Sequence, residues 1–64
     1  MRRGLVVVPN AGPWTGRRGE VIGDGRLHDG RDGIRVRFFD DGWPKEGLYD
    51  ERWLTVHEKA EEQR

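Results

Sequence analysis

The clearest pattern in the chain is the alternation at 34–38, where Ile34, Val36 and Phe38 share one face of an extended segment and Arg35 and Arg37 share the other. A period of two predicts a β-strand with one face in a core. The run Leu5-Val6-Val7-Val8 is rich in β-branched residues and closes at Pro9, which has no N–H to give a ladder. Gly19-Glu20-Val21-Ile22-Gly23 reads as a second short strand, bounded by glycine and paired with the first across a loop at 10–18. After the alternating strand, Asp41-Gly42 supplies a tight-turn signal and leads into a fourth extended stretch at 45–49. Trp53-Leu54-Thr55-Val56-His57 makes a fifth strand, and Asp50-Glu51-Arg52 before it suits a single 3₁₀ turn. Helical periodicity nowhere persists beyond two turns. Residues 24–33, DGRLHDGRDG, hold three Asp-Gly pairs and one apolar residue, which predicts a mobile, solvated loop.

Five short strands favour an all-β, five-stranded SH3-like barrel, because closure removes edges that so small a sheet cannot otherwise protect. The barrel is assigned to residues 1–57, and 58–64 to a polar tail too short for a stable helix and expected to fray. At 64 residues with 33% apolar side chains, most large apolar groups must serve a single core, leaving little for a deep pocket. Cysteine is absent, which excludes disulfides, thiolate metal sites and redox pairs. The longest apolar run has four residues, far short of a membrane span or signal core, so the reading is a soluble, cytoplasmic chain with no membrane partner.

Zero net charge hides an asymmetry. Residues 1–37 carry eight arginines against four acids, and residues 38–64 carry four bases against eight acids. A basic face for nucleic acid is possible from this, and so is mutual neutralisation once the halves are folded together.

The stretch VVPNAGPWTGRRGEV, about the first third of the chain, resembles the KOW motif of ribosomal proteins and NusG-type elongation factors, with Gly12, Pro13, Trp14, Gly16 and Gly19 at the motif positions. The remainder, IRVRFFDDGWPKEGLYDERWLTV, is more similar to Tudor-type chromatin readers and to the accessory subunits of photosystem I and ferredoxin-thioredoxin reductase. All are SH3-like. The 24–33 insertion departs from these families, so the resemblance implies a fold more than a role.

Trp14 beside Arg17 and Arg18, with Arg35 and Arg37 on the polar face of the third strand, suggests stacking on an unpaired base flanked by phosphate contacts. The competing reading is a solvated arginine rim with Trp14 packed over the barrel mouth. Phe39, Trp43, Tyr49 and Trp53 form a candidate aromatic protein-binding patch; with Trp14 and Asp40 or Asp41 they also offer the ingredients of a methyl-cation cage, although some must serve the core. Asp24, Asp29 and Asp32 lack calcium-loop spacing, and His28 and His57 have no nearby metal-ligand partner, so no metal or cofactor is expected. There is no serine or cysteine nucleophile, and the glycines at 12–19 precede a strand instead of a phosphate-binding helix. The expectation is therefore a non-enzymatic KOW-like module contacting nucleic acid or a nucleoprotein complex, with protein docking as an accessory subunit the alternative.

Overall fold

The computed structural model describes residues 1–57; the tail expected at 58–64 lies outside the described residues. The described chain contains β1 (Val6–Pro9), β2 (Gly19–Arg26), β3 (Asp32–Phe38), β4 (Glu46–Tyr49), a 3₁₀ turn (Glu51–Trp53) and β5 (Leu54–Val56). All strands join one antiparallel sheet in the order β4-β3-β2-β1-β5. Among the described residues no ladder joins β4 to β5, so the hydrogen-bonded sheet is open.

Alternation in β3 holds as the sequence predicts: Ile34, Val36 and Phe38 are buried while Arg35 and Arg37 are exposed. They share a core with Val7, Val21, Tyr49 and Leu54, and Leu5, Trp14 and Val56 pack against it. Tyr49 on one edge strand and Leu54 on the other meet in the same cluster, which requires a curved sheet.

Three features differ from the sequence reading. Half of residues 24–33 are sheet, since β2 runs on to Arg26 and β3 begins at Asp32, with Gly25 opposite Gly33. A short tip at 27–31 closes the hairpin: Gly30 N–H donates to the Leu27 carbonyl (2.9 Å), Leu27 N–H donates to the Arg31 carbonyl (2.8 Å), and Gly30 takes φ of 89°. This is the turn-plus-glycine geometry of a three-residue hairpin loop. A β-bulge at Ile22 lets the longer strand keep its register, because Val21 pairs with Val36 while Gly23 already pairs with Arg35. The second difference is the β3–β4 connection, which is a wider loop than a tight Asp-Gly turn and is closed by Phe38 N–H on the Lys45 carbonyl (2.8 Å).

The 3₁₀ turn falls one residue later than expected, with Asp50 as its cap: the Asp50 carboxylate accepts from Arg52 N–H at 3.1 Å.

Candidate functional site

Three connections come together around one groove. The 10–18 loop leaves β1, the 27–31 tip joins β2 to β3, and the 3₁₀ turn follows β4. Between them lies a groove of about 380 Å³ lined by Trp14, Leu27, Leu48, Tyr49 and Trp53, with His28, Asp29, Arg31 and Asp50 among its polar neighbours.

Paired glycines make the apolar wall possible. A Cβ at Gly25 would fall 2.6 Å from Leu48 Cδ1, and one at Gly33 would fall 2.9 Å from Leu27 Cδ2. Leu48 and Leu27 thus lie directly on bare backbone. Trp14 is half-buried against the core, whereas Trp53 is 47% and Leu48 37% exposed, so the groove has a packed side and an open side.

The charged groups beside the groove are already bonded to one another. Arg31 Nε donates to Asp29 Oδ2 at 2.7 Å, and its Nη1 donates to Asp50 Oδ2 at 2.9 Å. Arg52 Nη2 approaches the same Asp50 oxygen at 3.2 Å. Asp29 is held below the ordinary carboxylate range by the backbone N–H and side chain of Arg31, and Asp50 by the backbone N–H of Arg52. This chain of ion pairs ties the hairpin tip to the 3₁₀ turn across the groove.

The residues proposed from sequence for nucleic acid do not share that site. Of Trp14, Arg17, Arg18, Arg35 and Arg37, only Trp14 lines the groove. Arg17 turns toward the sheet: its guanidinium lies 4.2 Å from the Phe38 ring centroid and grips Asp40 through Nε (2.9 Å) and Nη2 (2.6 Å). With that side chain only 17% exposed, Arg17 joins the first loop to the β3–β4 loop. The same hydrogen bonds, helped by Gly42 N–H, lower Asp40 to about 2 and raise Arg17.

Arg37 faces outward, bonded to Glu46 at 3.2 Å and opposite Glu20 on the neighbouring strand. Arg35 and Arg18 are exposed and have no ion pair among the described residues. Arg18 lies next to Phe39 across the sheet, its carbonyl accepting from Phe39 N–H at 3.0 Å.

The aromatic set divides in two. Tyr49 is buried at 7% exposure, edge-on to Phe38, with its hydroxyl unpaired and burial raising its pKa. It and Trp53 border the groove, whereas Phe39 (57% exposed) and Trp43 (81%) belong to the β3–β4 loop at the other end of β3. Asp40 is engaged with Arg17 there and does not line the groove that holds Trp14 and Trp53. His57, read as a surface residue, is half-buried and its Nδ1 has no partner. No group of three metal-ligating side chains occurs among the described residues.

Sequence reasoning missed Leu27, Leu48, Asp29, Arg31 and Asp50 as site residues. The available signal was glycine at 25 and 33 flanking a single leucine, a spacing that also describes a flexible loop. Comparison with protein-family models, with curated proteins and with solved structures finds no match to this chain.

Proposed function

We propose that this chain is a non-enzymatic docking module that takes a short apolar segment of a protein partner into the groove between Trp14, Leu48 and Trp53. The observation that carries the reading is an open apolar groove whose charged lining residues, Asp29, Arg31 and Asp50, are bonded to one another. Such a surface rewards burial of an apolar segment and offers an anion little. The strand order, with a 3₁₀ turn between β4 and β5, supports an SH3-like barrel whose edges meet through side chains. The GPWTGRRGEV loop keeps its KOW-like glycines, and in this reading it serves as one wall of the groove.

The test uses the immobilised chain to select from a displayed library of random twelve-residue peptides. Selected sequences are expected to be apolar, to bind with an affinity nearly constant from about 50 to 300 mM salt, and to be lost with Trp53→Ala in a variant whose circular dichroism is unchanged. Single-stranded RNA and DNA form the second arm. Binding there that falls steeply with salt and disappears with Arg18→Ala and Arg35→Ala would replace protein docking by nucleic-acid recognition.

A further inference from the structure

The hairpin tip on one side of the groove and the most exposed aromatic of the chain lie at opposite ends of β3. β3 runs for seven residues from the hairpin tip to the β3–β4 loop, about 20 Å of extended chain. At its far end Trp43, followed by Pro44, is 81% exposed. An indole so placed is the largest apolar surface the described chain leaves in water, and the groove is the apolar concavity it leaves unfilled.

Resting on the groove reading above, we infer that the occupant of the groove is the Trp43–Pro44 corner of a second copy of this chain, so that copies associate head to tail. Two observations support this partner, and a third sets how tightly it binds.

The loop is held ready. Arg17 clamps Asp40 with two hydrogen bonds, Gly42 N–H donates to Asp40 Oδ1 at 2.7 Å, and Phe38 N–H closes the loop on Lys45. A braced corner loses little conformational freedom on docking, which is the main cost for a small contact.

Its chemistry suits the groove. A tryptophan-proline pair is apolar and uncharged, matching walls of Trp14, Leu48 and Trp53 whose nearby Arg31, Asp29 and Asp50 are bonded to each other. The indole N–H is the one polar group to satisfy, and the Asp29 and Asp50 carboxylates stand at the rim as acceptors.

The size sets the strength. One docked tryptophan covers about 150–250 Å² of its own surface, well under the roughly 1,200 Å² of a stable specific interface, so association is weak and rapidly reversible. Because the two contact surfaces differ, the contact is heterologous, and each added copy leaves one groove and one corner open to a further copy.

The experiment is equilibrium sedimentation of the full chain up to about 1 mM. The wild-type weight-average mass is expected to climb with concentration past that of a dimer. Trp43→Ala, which removes an exposed side chain, and Leu48→Glu, which charges the groove wall, are each expected to remain monomeric. Mixing the two variants is the decisive arm. One intact groove and one intact corner remain, so the mixture forms a heterodimer and nothing larger. A wild-type chain monomeric at about 1 mM, a Trp43→Ala chain that associates like wild type, or a mixture that stays monomeric would overturn the inference. Peptide selection on the wild-type groove still reports independently: peptides bound by a monomeric wild-type chain would sink self-docking alone, and no peptides would sink the groove reading as well.

Discussion

Gly19 and Gly25 provide a direct test of how the sheet is packed. Neither has a positive φ, so replacing either by alanine introduces no backbone strain, and the difference between them is what the new methyl group meets. At Gly19 a Cβ would stand 2.5 Å from Val36 Cγ1 and 2.8 Å from the Arg37 carbonyl oxygen. Ordinary contact begins near 3.4 Å, so something must retreat by about 0.9 Å. Val36 is fully buried in the core and Arg37 is held in the β2–β3 and β3–β4 ladders, so neither can move alone. Overpacking of this kind costs about 1–3 kcal/mol, partly offset by about 0.4–1 kcal/mol from the stiffer unfolded chain. At Gly25 the nearest atom is almost as close, Leu48 Cδ1 at 2.6 Å, but it is the tip of a side chain 37% exposed. That methyl can swing into solvent, and the entropic gain then roughly cancels the cost. With about 4–8 °C per kcal/mol for a domain of this size, Gly19→Ala is expected to melt roughly 5–15 °C below wild type and Gly25→Ala within about 4 °C of it. Thermal and urea melts followed by circular dichroism measure both, with unchanged urea slopes showing that the unfolded state is comparable. Equal losses, or a larger loss at Gly25, would refute the claim that the first residue of β2 is locked against β3 while the wall at Leu48 yields.

Three further outcomes follow from the same geometry. Phe38→Ala removes a buried ring that packs on Tyr49 and carries Arg17, and should cost about 3–5 kcal/mol, comparable with the whole stability of a small domain; a variant that keeps the parent's urea midpoint would contradict the assigned inner face of β3. Asp40 is held at about 2 against an ordinary 3.8 by Arg17 and Gly42 N–H, so its contribution is complete above its unfolded value and disappears as pH falls through the folded one. Melting temperature should therefore drop for wild type between about pH 5 and pH 2, and Asp40→Asn, less stable at neutral pH, should show a shallower drop; parallel curves would show that Asp40 is not linked to folding. Asp50→Ala removes both the cap of the 3₁₀ turn and the anchor of Arg31, so amide exchange at Leu27 and Gly30 in the hairpin tip should quicken along with that at Arg52; faster exchange at Arg52 alone would mean the ion pair does not hold the tip.

Local patterns in the sequence are enough for β3, the core it presents and the turn before β5. Period-two alternation at Ile34, Val36 and Phe38 depends on neighbours along the chain, and so does the capping carboxylate of Asp50. The hairpin at 24–33 is different, because glycine answers two demands that look alike in one dimension. It permits a turn, as at Gly30, and it admits a neighbouring side chain against the backbone, as at Gly25 and Gly33. Only the strand opposite decides between them, and Leu48 lies 23 residues beyond Gly25 in the chain.

Distance along the chain also explains the arginines. Arg17, Arg31 and Arg37 belong to the basic half, yet each has a partner in the acidic half, Asp40, Asp50 and Glu46 respectively, Arg31 pairing with Asp29 as well. Antiparallel pairing lays one half over the other, so the asymmetry written along the sequence is cancelled within the fold wherever the strands and loops meet. Arg18 and Arg35 escape this cancellation, and neither lines the groove with Trp14, although Arg35 stands beside its wall, opposite Leu48. Of the aromatic-plus-arginine pattern that suggests a stacked base in one dimension, the fold puts Trp14 in the groove, Arg35 beside its Leu48 wall, and Arg17 and Arg37 in ion pairs outside its lining. What favours the uncharged corner at Trp43 and Pro44 over a phosphate, in the reading proposed above, is that the one arginine lining the groove among the described residues, Arg31, is already bonded to Asp29 and Asp50.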